Sequence, residues 1–79
     1  MLHIEEYVGI ILGGSRTRRA RALADPDQSH VAFIEELARY IEAHHPEAED
    51  VTVVSVTDTG QIEQSQGRLR RWYRVAYQA

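Results

Sequence analysis

Arginine has the clearest potential for chemistry in this sequence, because eight of the nine arginines fall into two short clusters and there is no lysine. Guanidinium groups bind carboxylates and phosphates through paired hydrogen bonds. The first cluster follows Gly13 and Gly14 and comprises Arg16, Arg18, Arg19 and Arg21. Glycines placed ahead of such a cluster allow backbone N–H groups to converge on an anion. We therefore predict a partner- or anion-binding segment, the alternative being a solvated loop whose arginines pair with carboxylates of the protein itself.

The second cluster surrounds the single tryptophan. Arg70, Trp72 and Arg74 are spaced two residues apart, so on a β-strand they would share one face. Such a surface can stack a nucleic-acid base, and Trp and Arg are also enriched in the hot spots of protein interfaces. The formal net charge of −3 favours a protein partner or self-assembly over nucleic acid. A third interpretation is an intramolecular tryptophan that the arginines merely flank.

Two other groups of residues could in principle do chemistry. Adjacent His44 and His45 precede the acidic stretch Pro46 to Asp50, and imidazoles beside carboxylates can bind zinc. Adjacent helical residues, however, diverge by about 100°, which is poor geometry for one metal ion. We therefore predict that these histidines interact with the helix C-terminus. We expect no metal and no other cofactor.

The other group is Val56-Thr57-Asp58-Thr59-Gly60, which resembles the active-site loop of the retroviral-type aspartic proteases. That family places two such aspartates side by side in a dimer. The resemblance would make Asp58 the catalytic residue, but Gln61 stands where the family has a small residue, and the loop comes late in the chain. We favour an ordinary turn or bulge and predict no catalytic residue and no enzyme activity.

Length and composition limit the class of protein. Seventy-nine residues correspond to a single domain, residues 1–79. A domain of this size buries only about 60–65% of its unfolded surface, so self-association would add stability. The absence of cysteine excludes disulfides and thiolate chemistry. The sequence shows no signal-peptide pattern and no apolar run of the roughly 20 residues that span a bilayer. We expect a cytoplasmic protein that does not bind membranes.

The segment from Asp25 to His45 has the strongest helical pattern. Asp25 is a suitable N-cap, Pro26 suits the first helical position, and Gln28 can complete a capping box. Pro46 then ends the helix. Apolar residues recur at spacings of three and four, at Val31, Ile34, Leu37, Ala38 and Ile41. One face of this helix must therefore be buried.

Three segments have the alternation or the β-branched content of strands: Leu2 to Leu12, Val51 to Thr57 and Arg68 to Gln78. For Arg16 to Ala24 we favour a short helical turn. The polar stretch Gln61 to Gly67 either extends the second strand through Ile62 or forms a hairpin loop.

The predicted fold is α+β with the order β-α-β-β. We expect a three-stranded mixed sheet in which a right-handed crossover makes strand one parallel to another strand, with one helix packed on one face. The second face would carry Arg70, Trp72 and Arg74 with one of two sets from strand two, Val51/Val53 or Thr52/Val54/Val56. This face would need to be covered by another molecule.

The residues from Val54 to Val75 read V-x-V-x-D-x-G-x-I, then a polar loop with Gly67, then x-L-x-x-W-Y-x-V. Together with the strand order, this pattern resembles the dodecins, small flavin-storing proteins that assemble as hollow dodecamers. The resemblance implies a small-ligand-binding oligomer. Two departures are that Arg16 to Ala24 is extra and that Val51 or Val53 replaces the aromatic that stacks on flavin, so we assign no flavin site.

These observations favour a small non-catalytic binding and assembly module that acts through protein–protein contacts. We expect it to form a homo-oligomer, to bind an acidic partner surface, or both. The expected binding residues are Arg16, Arg18, Arg19, Arg21, Arg70, Trp72 and Arg74. One alternative is a nucleic-acid-binding protein that uses both arginine clusters, and the other is a dodecin-like small-ligand-binding oligomer.

Overall fold

The computed structural model describes residues 17–65 and 67–79. They form an α+β unit in the order β1 (Thr17–Ala24), α1 (His30–His44), β2 (Thr52–Ser65) and β3 (Arg68–Gln78). The predicted β-α-β-β order is confirmed, and β3 has the predicted bounds. The prediction of a mixed sheet is wrong, because the three strands are antiparallel in the order β1-β3-β2.

The first strand is the arginine-rich segment, for which the predicted helical turn is wrong. Thr17–Ala24 pairs with β3, and its residues alternate between the two sides of the sheet. Ala22 and Ala24 are fully buried, whereas Arg19 and Arg21 are exposed. Alanine and arginine favour helices intrinsically, so pairing with β3 overrides local propensity. Our predicted first strand, Leu2 to Leu12, lies outside the described residues.

The helix begins four residues later than a cap at Asp25 would allow. Ser29 is the N-cap, and its hydroxyl accepts a hydrogen bond from the backbone N–H of Ala32. The side chain of Asp25 accepts from the backbone N–H of Asp27 at 2.8 Å, which forms a separate turn ahead of the helix. Gln28 donates to the carbonyl oxygen of Asp25 and stabilises the same turn. The predicted capping box is therefore wrong.

The C-terminal end of α1 agrees better with the sequence pattern. The helix ends at His44, and the backbone N–H of His45 donates to the carbonyl oxygen of Ile41 at 2.8 Å. His44 Nδ1 donates to the carbonyl oxygen of Tyr40 at 2.9 Å. With 15 residues, α1 is neither long nor apolar enough to cross a membrane.

β2 is longer than predicted and continues through Ile62 to Ser65. Its pairing with β3 shifts register twice, between Val53 and Ser55 and again between Asp58 and Ile62. At both irregularities β2 contains extra residues that pair with no residue of β3, as in β-bulges. The first irregularity adds one residue and so changes which β2 residues share a face with a given set on β3, whereas the second adds two and keeps the alternation.

The second irregularity contains the Asp58-Thr59-Gly60 sequence. Asp58 Oδ1 accepts from the backbone N–H of Gly60 at 2.8 Å, and the Thr59 hydroxyl donates to the carbonyl oxygen of Trp72 at 2.7 Å. Gly60 has φ +84°, a left-handed conformation that favours glycine. The segment is thus a stabilised bulge within β2, as the turn or bulge signal predicted.

The core lies between α1 and one face of the sheet. Leu37 and Ile41 of the helix are fully buried, as their spacing predicts. On the sheet side the buried cluster comprises Ala22, Ala24, Tyr73, Val75 and Tyr77. The ring of Phe33 packs edge-on against Tyr73, with centroids 4.9 Å apart. We call this side of the sheet the helix face and the other side the second face.

Candidate anion-binding face

The pairing of the three strands brings the two arginine clusters together on the second face. Arg21 of β1 lies directly opposite Arg74 of β3, which lies opposite Thr57 of β2. In the next row, Arg19 lies opposite Ala76, which lies opposite Ser55. Residues directly opposite one another on antiparallel strands project to the same side of the sheet. Two neighbouring rows therefore place three guanidinium groups and two hydroxyls on one surface.

These two rows form a groove of about 440 Å³. The small side chain of Ala76 lies in the central strand and is only 5% exposed, so the longer side chains around it leave a hollow. The lining residues are Arg19, Ala20, Arg21, Ser55, Thr57, Arg74, Val75 and Ala76. We call this depression the arginine groove. It has the size of an ordinary ligand pocket, for which roughly 300–1,000 Å³ is typical.

Two arginines of the groove, Arg21 and Arg74, lie opposite each other without a neutralising carboxylate among the described residues. Like charges directly opposite each other destabilise a sheet, and Arg21 and Arg74 form such a pair. Among residues 17–65 and 67–79, no carboxylate forms an ion pair with either of them. Arg21 donates instead to the side-chain carbonyl of Gln61. An uncompensated pair of this kind is a candidate site for an external anion.

Two other arginines of β3, unlike Arg74, are paired with carboxylates. Arg68 pairs with Asp25 at 2.9 Å, and Arg71 pairs with Asp58 at 2.8 Å. The backbone N–H of Asp27 and, next, the Arg68 guanidinium lower the pKa of Asp25 below its ordinary value. These two pairs stabilise the loop before α1 and the bulge in β2. They contribute no charge to the arginine groove.

Trp72 lies one row away from the groove and has several partners within its own chain. The guanidinium of Arg21 lies over the indole at 5.0 Å, and the indole N–H donates to Glu63 at 3.2 Å. Although strand alternation places Trp72 on the second face, the ring of Tyr40 meets it edge-on with centroids 5.8 Å apart. Burial and the charge of Glu63 raise the pKa of Tyr40. Trp72 is therefore half-buried and is not an open stacking platform.

The remaining predicted site residues do not join the groove. Arg18 is exposed and projects to the opposite side of β1 from Arg19 and Arg21. Arg70 lies beyond the end of β1, is half-buried, and has a buried Nε with no hydrogen-bond partner among the described residues. Arg16 lies outside the described residues. Of the seven residues predicted from the sequence, Arg19, Arg21 and Arg74 come together.

The histidine and Asp-Thr-Gly segments have structural partners. His44 stacks on Tyr40 with ring centroids 4.0 Å apart, and His45 lies 3.7 Å from the carboxylate of Glu47. Asp58 is bound to Gly60 and Arg71. In the part of the chain that the structure describes, no group of three or more potential ligands forms a metal site.

Three residues that shape the groove could not be identified from the sequence, namely Ser55, Thr57 and Ala76. The predicted second face paired β3 with Val51/Val53 or with Thr52/Val54/Val56. Val53 and Val56 lie instead on the helix face, opposite Tyr77 and Val75, whereas Thr52, opposite Gln78, lies on the second face as predicted. The bulge at Val54 places Ser55 opposite Ala76, so the hydroxyls of Ser55 and Thr57 reach the second face. Only the register shows this, because simple alternation along β2 fails at the bulge.

Comparison of the chain with protein-family models, curated proteins and solved structures found no match.

Proposed function

We propose that this chain is a non-catalytic binding and assembly module that binds an acidic protein partner through the arginine groove. The supporting observation is the convergence of Arg19, Arg21 and Arg74 around one hollow, with no carboxylate of the described chain paired with Arg21 or Arg74. Guanidinium groups are suited to carboxylate side chains because their hydrogen-bond geometry matches. Partner carboxylates would relieve the repulsion between Arg21 and Arg74.

A protein partner is favoured over nucleic acid by the state of Trp72. Single-stranded nucleic acids are bound by aromatic rings on which bases stack. Here Arg21 covers the indole, and Glu63, which bonds its N–H, would repel a phosphate backbone. A base could stack only after Arg21 moves away.

Self-association through a different surface is a second candidate function. Ile62 and Leu69 are 52% and 53% exposed, and the register makes them diagonal neighbours on the β2–β3 hairpin. Exposed apolar side chains that lie together are typical of interaction sites. The dodecin-like alternative also implies an oligomer, but without a flavin-stacking aromatic we do not propose flavin binding.

The test of the acidic-partner function uses poly-L-glutamate as the probe, with binding measured by fluorescence anisotropy at about 0.15 M salt, where charges more than about 8 Å apart are largely screened. We expect the double variant Arg21→Gln/Arg74→Gln to bind about tenfold more weakly, equivalent to ~1.4 kcal/mol. The matched control is Arg18→Gln/Arg39→Gln, which removes the same charge from exposed positions outside the groove. The control should change affinity by no more than about twofold, because net charge alone acts weakly at a distance.

Equal weakening of both double variants would contradict a localised site. A single-stranded oligothymidylate of matched charge is the competing probe. If it bound more tightly than poly-L-glutamate and lost affinity in Trp72→Leu, the nucleic-acid function would replace the one proposed.

A further inference from the structure

We propose that the hollow above Ala76 binds the phosphate of a phosphorylated serine or threonine side chain on the partner. This inference rests on the proposed function and names the group that the acidic partner inserts into the arginine groove. A phosphate monoester carries a charge of about −1.5 to −2 and three acceptor oxygens, whereas a carboxylate carries one charge and two oxygens. The hydrogen-bond donors around the hollow suit the higher charge and the three acceptor oxygens of the phosphate monoester.

The donors come from all three strands. Arg74 of β3 occupies the centre of its row, with Arg21 of β1 on one side and Thr57 of β2 on the other. Ser55 and Arg19 flank Ala76 in the next row. An anion seated over Ala76 is therefore bordered by Arg19 toward β1 and by Ser55 toward β2, and the Arg21 guanidinium would reach it by leaving Trp72 and Gln61. Such a mixed set of donors surrounds a tetrahedral oxyanion better than a planar carboxylate.

The size of the hollow is the second observation. Its volume of about 440 Å³ exceeds what one phosphate group fills. Space remains for the side chain and backbone that carry the phosphate, which favours a phosphorylated residue over a free inorganic anion. Ala76 has a small side chain and lines the hollow, so a larger side chain there would fill part of it without changing any charge.

The uncompensated charge is the third observation. A single carboxylate would leave part of the positive charge of Arg21 and Arg74 unbalanced, while a dianion balances both. Arginine clusters are the usual receptors for phosphorylated side chains because each guanidinium donates two parallel hydrogen bonds.

The experiment measures how well O-phospho-L-serine and L-aspartate each displace poly-L-glutamate from the protein, and also titrates O-phospho-L-serine directly by NMR. We expect O-phospho-L-serine to displace the polymer at about one tenth of the concentration of L-aspartate. Ala76→Val should remove this preference, because its larger side chain fills the hollow without changing any charge. Ala43→Val, at an exposed position on α1, is the volume control and should keep the preference.

A second variant covers the case in which Ala76→Val fails to fold. Thr57→Val keeps the shape of the side chain and removes one hydroxyl donor. We expect it to weaken the binding of O-phospho-L-serine about fivefold and to reduce the preference for O-phospho-L-serine over L-aspartate. Circular dichroism confirms the fold of each variant.

The outcomes separate this inference from the proposed function. Poly-L-glutamate binding with equal displacement by O-phospho-L-serine and L-aspartate would overturn the phosphate site and leave the acidic-partner function standing. Tighter binding of inorganic phosphate than of O-phospho-L-serine would overturn the assignment to a phosphorylated side chain. Displacement by an oligothymidylate at still lower concentration would overturn it in favour of a phosphodiester. If only poly-L-glutamate failed to bind, the phosphate site would be supported and the broader function contradicted.

Discussion

Asp25 connects three parts of the chain through a single carboxylate. Its Oδ1 accepts from the backbone N–H of Asp27, and its Oδ2 accepts from Arg68 at the start of β3. Both hydrogen bonds stabilise the charged form, so the pKa of Asp25 is lowered from its ordinary value of 3.8. The residue that resembles a helix cap in the sequence therefore fixes a turn against the sheet.

We predict that Asp25→Asn lowers the free energy of unfolding at neutral pH and that the difference from the unmodified protein shrinks in acid. A carboxyl whose pKa is lowered on folding contributes stability above its unfolded pKa, and this contribution is lost as the pH falls through the folded pKa. Urea denaturation at about pH 7 and about pH 2 measures the difference. Asp27→Asn is the control, since it keeps the backbone N–H that Asp25 binds. An undiminished difference in acid would show that the charge of Asp25 is not the cause.

At the scale of elements, α1 holds the core through one stripe of side chains. Leu37 is fully buried against the helix face, whereas Val31 in the first turn is 67% exposed. We predict that Leu37→Ala lowers the free energy of unfolding by about 2–5 kcal/mol, because it leaves a cavity between helix and sheet. Val31→Ala should change it by less than about 0.5 kcal/mol. Urea denaturation of both variants provides the measurement, and similar effects would mean that the helix packs on another face.

The buried face of α1 and the position of β3 could be predicted from the sequence, because the spacing of their apolar residues indicates which face is buried. β1 was not predictable in the same way. Its residues are alanine, arginine and leucine, which suit a helix, and only contact with β3 makes the strand favourable. The start of α1 was misplaced because Asp25 satisfies the backbone of its own turn, which leaves Ser29 to cap the helix.

The candidate site was predictable in composition but not in geometry. Both arginine clusters were evident from the sequence, whereas their meeting on one face depends on β1 pairing with β3. The position of Ser55 and Thr57 depends further on the bulge at Val54. Register and bulges arise from contacts distant in sequence, so a single strand does not encode them locally.

At the scale of the whole molecule, the two proposed interaction surfaces differ in character. The arginine groove is charged and concave, while the hairpin presents the exposed apolar pair Ile62 and Leu69. We predict that the protein self-associates through the hairpin and that Ile62→Ser/Leu69→Ser shifts it toward the monomer. Burial of apolar surface drives such association, so it should persist at high salt.

Light scattering across a range of micromolar concentrations measures this shift. Val54→Ser, at an exposed position on the bulge, is the control and should leave the average mass unchanged. A monomer at every concentration before any substitution would contradict self-association, and it would leave the arginine groove unaffected.

The central claim is that β1 and β3 combine their arginines into one binding surface. The most direct measurement follows the NMR signals of the arginine Nε–H groups during a titration with poly-L-glutamate at low salt. We predict that the signals of Arg19, Arg21 and Arg74 shift together with one affinity, while those of Arg18 and Arg39 stay in place. Equal shifts at Arg18 and Arg39, or different affinities at Arg21 and Arg74, would contradict a shared site.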